Sequence, residues 1–551
     1  MGVLVLAVAA VLLASLALPL TAAIGPFYWD TILYYDAAAR IADGQIPLVD
    51  FLAPVGPLEY WLFALVLKVF PEAQGAYAAS WSILVVTAPA MALVVHDVAR
   101  RSVLMAAGLA IPFLVFSALP FNTEQFYPYP GVDGFGIYNR HISQILYVLV
   151  AVLLFVESIA IRGIVLTACF ISLFLTKITG FLFAIPLIVL AILARRLGAR
   201  KAVFAAAAFA TLLGGLEAYS GIISAYLKSI AELIGVNQDS LLKQVIHGAA
   251  DHVAAVGTIL ALALWLAFAD RGLIKTQLTP SGTSGLGDRI ASLAAMPWLW
   301  LSALTIGGIL LEGQNWGSQA FIFYWPAALK ALEGWAVRPQ SWRIATSVLI
   351  AVSAGPTFID PGARAARTFA AQLNYARVDL PEIGPLSAVS KRAGIDRRVE
   401  MIRETAISHP GYHADYAEAG ELPFFNYYAQ PEFQLAWLQS VNEAVAAIRA
   451  HEASTGTRFG SILSLNFVNP FPYILDRGAP RLVTIGADPH RSMPPLTDAA
   501  RAELEMTDLV LWPKCPETIA NRRIRDIYAA GLTGRQTIAL SPCWDGYVRP
   551  D

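Results

Sequence analysis

Three acids, Asp30, Asp36 and Asp50, lie among aromatic residues in the stretch from Trp29 to Trp61, directly after a membrane-length apolar run and ahead of a Gly56-Pro57 turn. Carboxylates placed where a chain leaves the bilayer read as a polar pocket at the membrane surface, suited to a lipid-borne molecule. The competing reading is structural: any of these acids can cap an interfacial helix or pair with Arg40.

A second group of candidates is cationic. Lys177 sits inside an apolar stretch, where an ionisable side chain is costly unless it has a partner or a task. A lysine at a helix end also snorkels to headgroups. Arg140 and His141 stand where the loop carrying Tyr127, Tyr129, Asp133 and Tyr138 re-enters the membrane; phosphate or sugar contact and an ordinary aromatic belt both fit. Glu217, within an apolar run, and Gln314 and Asn315, at a helix end, are candidates for lining a cavity or for hydrogen bonds between helices.

The elements that must position these residues are membrane helices. The chain is 57% hydrophobic and 14% charged, with apolar runs long enough to span a hydrocarbon core, so it is polytopic. A net charge of −1 gives no basic field for nucleic acid. Spans are expected over 2–23, 75–95, 102–119, 142–160, 163–176, 178–194, 203–222, 253–269, 293–311, 319–333 and 344–356, about eleven in all. The first lacks a basic n-region, which favours an uncleaved helix over a signal peptide. The run from Pro57 to Phe70 carries Glu59 and Lys68 and is short, so it reads as an interfacial helix.

Arg100, Arg101, Arg162, Arg195, Arg196, Arg200, Lys201, Arg271, Lys275, Arg289, Arg338 and Arg343 all fall in short loops on one side, which the positive-inside rule makes cytoplasmic. The acidic first loop and the C-terminal region then face outward. Residues 357–551 have the composition of a separate α/β domain, with apolar runs at Phe459-Gly-Ser-Ile-Leu-Ser-Leu, Arg481-Leu-Val-Thr-Ile-Gly and Asp508-Leu-Val-Leu-Trp-Pro alternating with helical patterns at 497–505 and 517–530. No phosphate loop opens those helices. Cys169 reads as a buried hydrophobe, whereas Cys515 and Cys543 share the outer domain, where a disulfide can persist. His409 and His413 are separated by Pro410-Gly411, a turn rather than a helical metal site.

The order Asp30-x-x-x-Tyr34-x-x-x-Ala38-x-x-Ile41-x-x-Gly44-x-x-Pro47, then Asp50-Phe51 and Gly56-Pro57-Leu58-x-Tyr60-Trp61, resembles the first external loop of GT-C-fold membrane glycosyltransferases, a superfamily that includes protein O-mannosyltransferases and lipid A aminoarabinose transferases. Thr176-Lys177-Ile178-Thr179-Gly180 is similar to their Thr-Lys-Gly/Pro segment. With the topology, the resemblance covers residues 1–356 as a GT-C-like catalytic domain, and 357–551 resembles the external domains appended to bacterial members. It implies an inner-membrane enzyme that transfers a sugar from a polyprenyl-phosphate donor to a glycan, glycolipid or protein acceptor, among membrane lipids, on the extracytoplasmic side. Asp30 aligns with the family's catalytic acid, although Thr31 replaces the acid that commonly follows it. Asp36 is the alternative base. Asp50 and Tyr34 are implied as substrate contacts, with Lys177, Arg140, His141, Gln314 and Asn315 toward phosphate or sugar. No cofactor is implied; Lys177 takes the place of a metal, although Asp30 and Asp36 could share a hard cation. A flippase of lipid-linked saccharides and a silent assembly subunit remain alternatives.

Overall fold

The computed structural model describes residues 1–121, 130–237, 241–279, 285–313, 321–333, 335–410, 415–416, 418–421 and 430–550. Among these, five helices are long and apolar enough to cross a membrane: Gly75–Ala99, Ile137–Phe155, Ile159–Thr176, Ala199–Ser220 and Gln340–Gln372. Two bent pairs, Val245–Asp251 with Val253–Ala269 at 84° and Leu286–Ala294 with Pro297–Glu312 at 62°, raise this to as many as seven. The apolar runs led to an expectation of eleven. Helices stand at the remaining positions, but Gly2–Ser15, Val103–Ala118 and Ile178–Leu193 are shorter than a full span, and the run at 319–333 breaks into a 3-10 turn and the seven-residue helix Trp325–Ala331.

The helices sort by what surrounds them. Ile137–Phe155 is buried along nearly its whole length, as expected of a helix apolar all round with other helices on every side. Ala199–Ser220 has no buried residue, and its Phe204 and Tyr219 are exposed. That outward apolar surface suits lipid, not water. Ser102 and Ser158 start the helices Val103–Ala118 and Ile159–Thr176 as N-caps, each hydroxyl accepting the backbone N–H three residues on.

The C-terminal region carries a four-stranded sheet. Its strands are β4 (Ile462–Ser464), β5 (Leu509–Pro513), β6 (Gln536–Ser541) and β7 (Trp544–Val548), after β1 (Ala22–Ala23), β2 (Tyr375–Arg377) and β3 (Val389–Arg392) of a smaller sheet. The order is β4-β5-β7-β6, with β4 and β5 parallel and the other pairs antiparallel. Helices Pro431–Thr455, Asp498–Met506 and Ile519–Tyr528 complete an α/β arrangement, and a disulfide joins Cys515 to Cys543. The segment Arg481 to Gly486, expected as a further strand of this sheet, pairs instead with the first loop: Leu482 N donates to Asp50 O at 2.6 Å, Leu52 N to Val483 O at 2.9 Å and Ile485 N to Leu52 O at 2.9 Å.

The two regions are therefore stitched together along the first loop. β1 runs parallel to β3 of the C-terminal region. Arg40, 1% exposed, is held by Asp36 at 2.8 Å and donates to Pro480 O at 2.6 Å, while Gln45 donates to Ala479 O at 2.8 Å. Breaking a buried pair leaves an uncompensated charge and costs about 3–5 kcal/mol. Arg40→Met should accordingly lower the melting temperature of the detergent-solubilised protein by several degrees and free the C-terminal region to early proteolysis; an unchanged melting curve would show that this pair does not hold the two regions together.

Candidate active site

The helix Trp29–Ala42 begins just after Phe27, whose φ of 55° turns the chain into it, and Gln434 of the C-terminal region accepts the Trp29 N–H at 3.0 Å. Asp30 therefore lies in the first helical turn, at the positive end of the helix dipole. Among the described residues its carboxylate accepts no hydrogen bond and forms no ion pair. Loss of water pushes its carboxyl up to about 8. Tyr34, Tyr60 and Tyr138 are all close enough to interact with it electrostatically.

Lys177 also approaches Tyr138. Its ammonium lies 5.3 Å from the Tyr138 ring centroid and donates to Asn139 Oδ1 at 3.2 Å. It occupies the one extended residue between the helices Ile159–Thr176 and Ile178–Leu193, with φ −163° and ψ 126°. Gly56 fixes that break. Its N–H donates to Thr176 O at 2.9 Å, and a Cβ added there would sit 2.0 Å from Leu175 O. The Gly-Pro turn of the first loop is thus a backbone-on-backbone contact that places Asp30 and Lys177 in one neighbourhood.

Further polar groups converge here. His141 Nδ1 meets Glu59 Oε2 at 2.5 Å, both side chains almost wholly buried. His252 meets Glu312 at 3.1 Å, and Glu312 interacts electrostatically with Lys177. Arg491, from the C-terminal region, reaches both Lys177 and Tyr138 electrostatically. Around these, Tyr34 Oη, Tyr60 Oη, Glu59 Oε1, Asn139 Nδ2, Thr176 Oγ1 and Thr179 Oγ1 are buried without a hydrogen-bond partner among the described residues. Each such atom costs about 1–3 kcal/mol, so their gathering at one place marks a site waiting for a polar ligand.

Other candidates are placed elsewhere. Asp36 is paired with Arg40, with burial raising its carboxyl and Arg40 opposing that rise. Asp50 spends one oxygen on Arg481 at 2.8 Å and the other on the Ile46 N–H at 2.7 Å, at the seam with the C-terminal region. Arg140 donates to Phe116 O at 3.0 Å, Leu119 O at 2.6 Å and Phe121 O, closing the end of Val103–Ala118, and stacks on Phe116. Glu217 accepts the N–H groups of Ile223 and Ser224 at a helix start. Asp133 pairs with Arg364 at 2.9 Å. Gln314, Asn315, Tyr127, Tyr129 and His413 lie outside the described residues.

Sequence reading passed over Arg491, Asn139 and the catalytic promise of Glu59. Glu59 had a signal, an acid in an apolar run beside a lone buried histidine elsewhere; Arg491, in an ordinary polar turn, had none.

No family model matches this chain, and no curated protein matches it. Among solved structures, the crystal structure of ArnT from Cupriavidus metallidurans in the apo state is similar to 99% of this chain over 97% of its own length, at 14% identity and a TM-score of 0.38. A likeness at that level carries no argument about fold or activity.

Gly56→Ala tests the geometry. Forcing a methyl against Leu175 O costs about 1–3 kcal/mol and displaces the turn, so the variant should melt several degrees lower and lose ligand-site function, whereas a variant of wild-type stability and activity would show that the turn does not set the Lys177 position.

Proposed function

We propose that this chain is an inverting glycosyltransferase that moves a sugar from a polyprenyl-phosphate carrier to a glycan, glycolipid or protein acceptor at the outer face of a membrane. The observation that carries the reading is an Asp30 with no ion pair among the described residues, within electrostatic reach of Tyr138, whose ring also meets the Lys177 ammonium. A base whose pKa lies near the working pH takes a hydroxyl proton efficiently. As Asp30 removes that proton, the acceptor oxygen attacks the anomeric carbon and the lipid phosphate leaves from the opposite face, inverting the centre. Lys177 and Arg491 neutralise the charge that develops on the phosphate, in a site where little water screens them. Tyr34, Tyr60, Asn139 and Thr179 supply the unsatisfied donors and acceptors that hydroxyls of the sugar would meet. His141, bound to Glu59, orients that acid.

Two features support the outward orientation. Arg101, Arg162, Arg195 and Arg196 lie at the ends of the helices remote from Asp30, as basic residues retained in the cytoplasm do. The Cys515–Cys543 bond belongs to an oxidising compartment. The rival reading, a flippase, finds its support in the two bent helix pairs, since transporters use broken helices. Both pairs fall between residues 245 and 312, however, with no counterpart in the first half among the described residues.

Purified protein given a labelled polyprenyl-phosphate sugar separates these. Asp30→Asn should lower transfer by about 10²–10⁴-fold, the range for loss of a general base. Asp50→Asn should retain transfer if folded. Because the folded Asp30 carboxyl titrates near 8, it is protonated below that pH. The wild-type rate should therefore climb with pH and level off above about 8. Full activity in Asp30→Asn defeats the assignment, and lipid movement without glycosidic bond formation selects the flippase.

A further inference from the structure

At the ends of the helices opposite Asp30 lies a cavity of about 550 Å³. It forms where Gly75–Ala99, Ile137–Phe155 and Ile178–Leu193 finish and Ile159–Thr176 begins. Leu154 on its wall and Asn139 at the candidate active site share one helix, and are separated by roughly 22 Å at about 1.5 Å of rise per residue. This is a second site, a membrane leaflet away from the first.

Five cationic side chains line it, Arg101, Arg162, Arg195, Arg196 and Lys330, against two carboxylates, Glu157 and Glu333. Three of the cations have acidic partners: Arg101 pairs with Asp97 and Glu157, Arg195 with Asp288, and Lys330 with Glu333. Arg162 and Arg196 have no ion pair among the described residues. They repel one another electrostatically. Each donates only to backbone carbonyls, Arg162 to Val156 O and Arg196 O, and Arg196 to Leu154 O at 2.9 Å. The Nε of each is buried and has no hydrogen-bond partner among the described residues. Asp97 and Glu157 act electrostatically on Arg162 and Glu333 on Arg196, but none of them forms an ion pair with either guanidinium among the described residues; two adjoining guanidiniums so placed suit a shared anion, and the guanidinium fork fits a phosphate.

The other wall is apolar. Val98, Met105, Leu153 and Leu332 line it, and Val103 and Leu104 just beyond are 65% and 81% exposed. A soluble anion has no use for that wall, whereas an acyl chain does. Basic pockets between membrane helices hold anionic headgroups in this way.

We propose that this cavity binds the phosphate of an anionic phospholipid, with Arg162 and Arg196 as its ligands, Lys330 as an auxiliary charge and the acyl chains lying along Met105 and Leu104. The site is distinct from the one proposed for a lipid-linked sugar and does not depend on that function.

The full-length protein in nanodiscs of pure phosphatidylcholine, or of phosphatidylcholine with phosphatidylglycerol, tests it. Native mass spectrometry should show phosphatidylglycerol retained on the wild type, with a higher melting temperature in the mixed discs. Lys330→Gln, which leaves both helix-end arginines in place, should weaken retention by about five-fold, the effect of one cation near a lipid surface. Arg162→Gln with Arg196→Gln should abolish it. Inorganic phosphate added to phosphatidylcholine discs should give no shift. If phosphate alone reproduces the full shift, the lipid assignment falls. If the wild type makes no distinction between the two lipids, the site itself falls, whatever the variants do.

Discussion

A carboxylate partly withdrawn from water with no cation against it is unfavourable, and Asp30 is in that position. The surrounding structure can sustain this only because other groups fix the backbone around it. Arg40, the cation closest along its own helix, is bound to Asp36 and to Pro480 O and cannot swing toward Asp30. Lys177 is held against Asn139 and the Tyr138 ring. A direct Asp30–Lys177 pair would satisfy both and leave nothing for a substrate. Tyr138 adjoins both groups, within electrostatic reach of Asp30 and 5.3 Å from the Lys177 ammonium.

The three acids of the first loop consequently do three different jobs, although they have the same chemistry. Asp36 is a structural ion with a buried partner, and Asp50 ties a turn to Arg481. Only Asp30 is left uncompensated. What separates them is the C-terminal region, which supplies Pro480 O, Arg481 and the strand-like contact from Leu482 to Ile485. That region is therefore part of the site's framework, and Arg491 makes it part of the site's electrostatics.

The apolar runs and the acid-rich first loop were legible in the chain because hydropathy and local charge are properties of short segments. Asp30 and Lys177 stand out in the sequence as polar residues in apolar surroundings. The strand expected at Arg481 to Gly486 went elsewhere because an apolar alternation specifies a paired edge without naming the partner. Here the partner is more than 400 residues earlier in the chain. Arg140 and Asp50 misled for a related reason: a charge at a membrane boundary is equally good at closing a helix end or a turn, and only the carbonyls and N–H groups facing it decide. The break at Lys177 was legible as the gap between two apolar runs, and it separates Ile159–Thr176 from the shorter helix Ile178–Leu193.

The same breaks explain how one bundle carries polar sites at both ends. A straight helix buries its backbone donors and acceptors and offers only side chains. Where Ile159–Thr176 gives way to Ile178–Leu193, Thr176 O and Ile178 N turn outward and are met by Gly56 N and the Tyr226 hydroxyl. At the other end, the free carbonyls of Leu154, Val156 and Arg196 are met by arginines. Helix ends leave backbone groups unsatisfied by geometry, and this chain satisfies one set with a glycine turn and the other with guanidiniums. The first leaves no charge behind and lets the Lys177 side chain reach Asn139 and Tyr138. The second leaves two like charges side by side, and that asymmetry makes one end suited to a reacting substrate and the other to a resident anion.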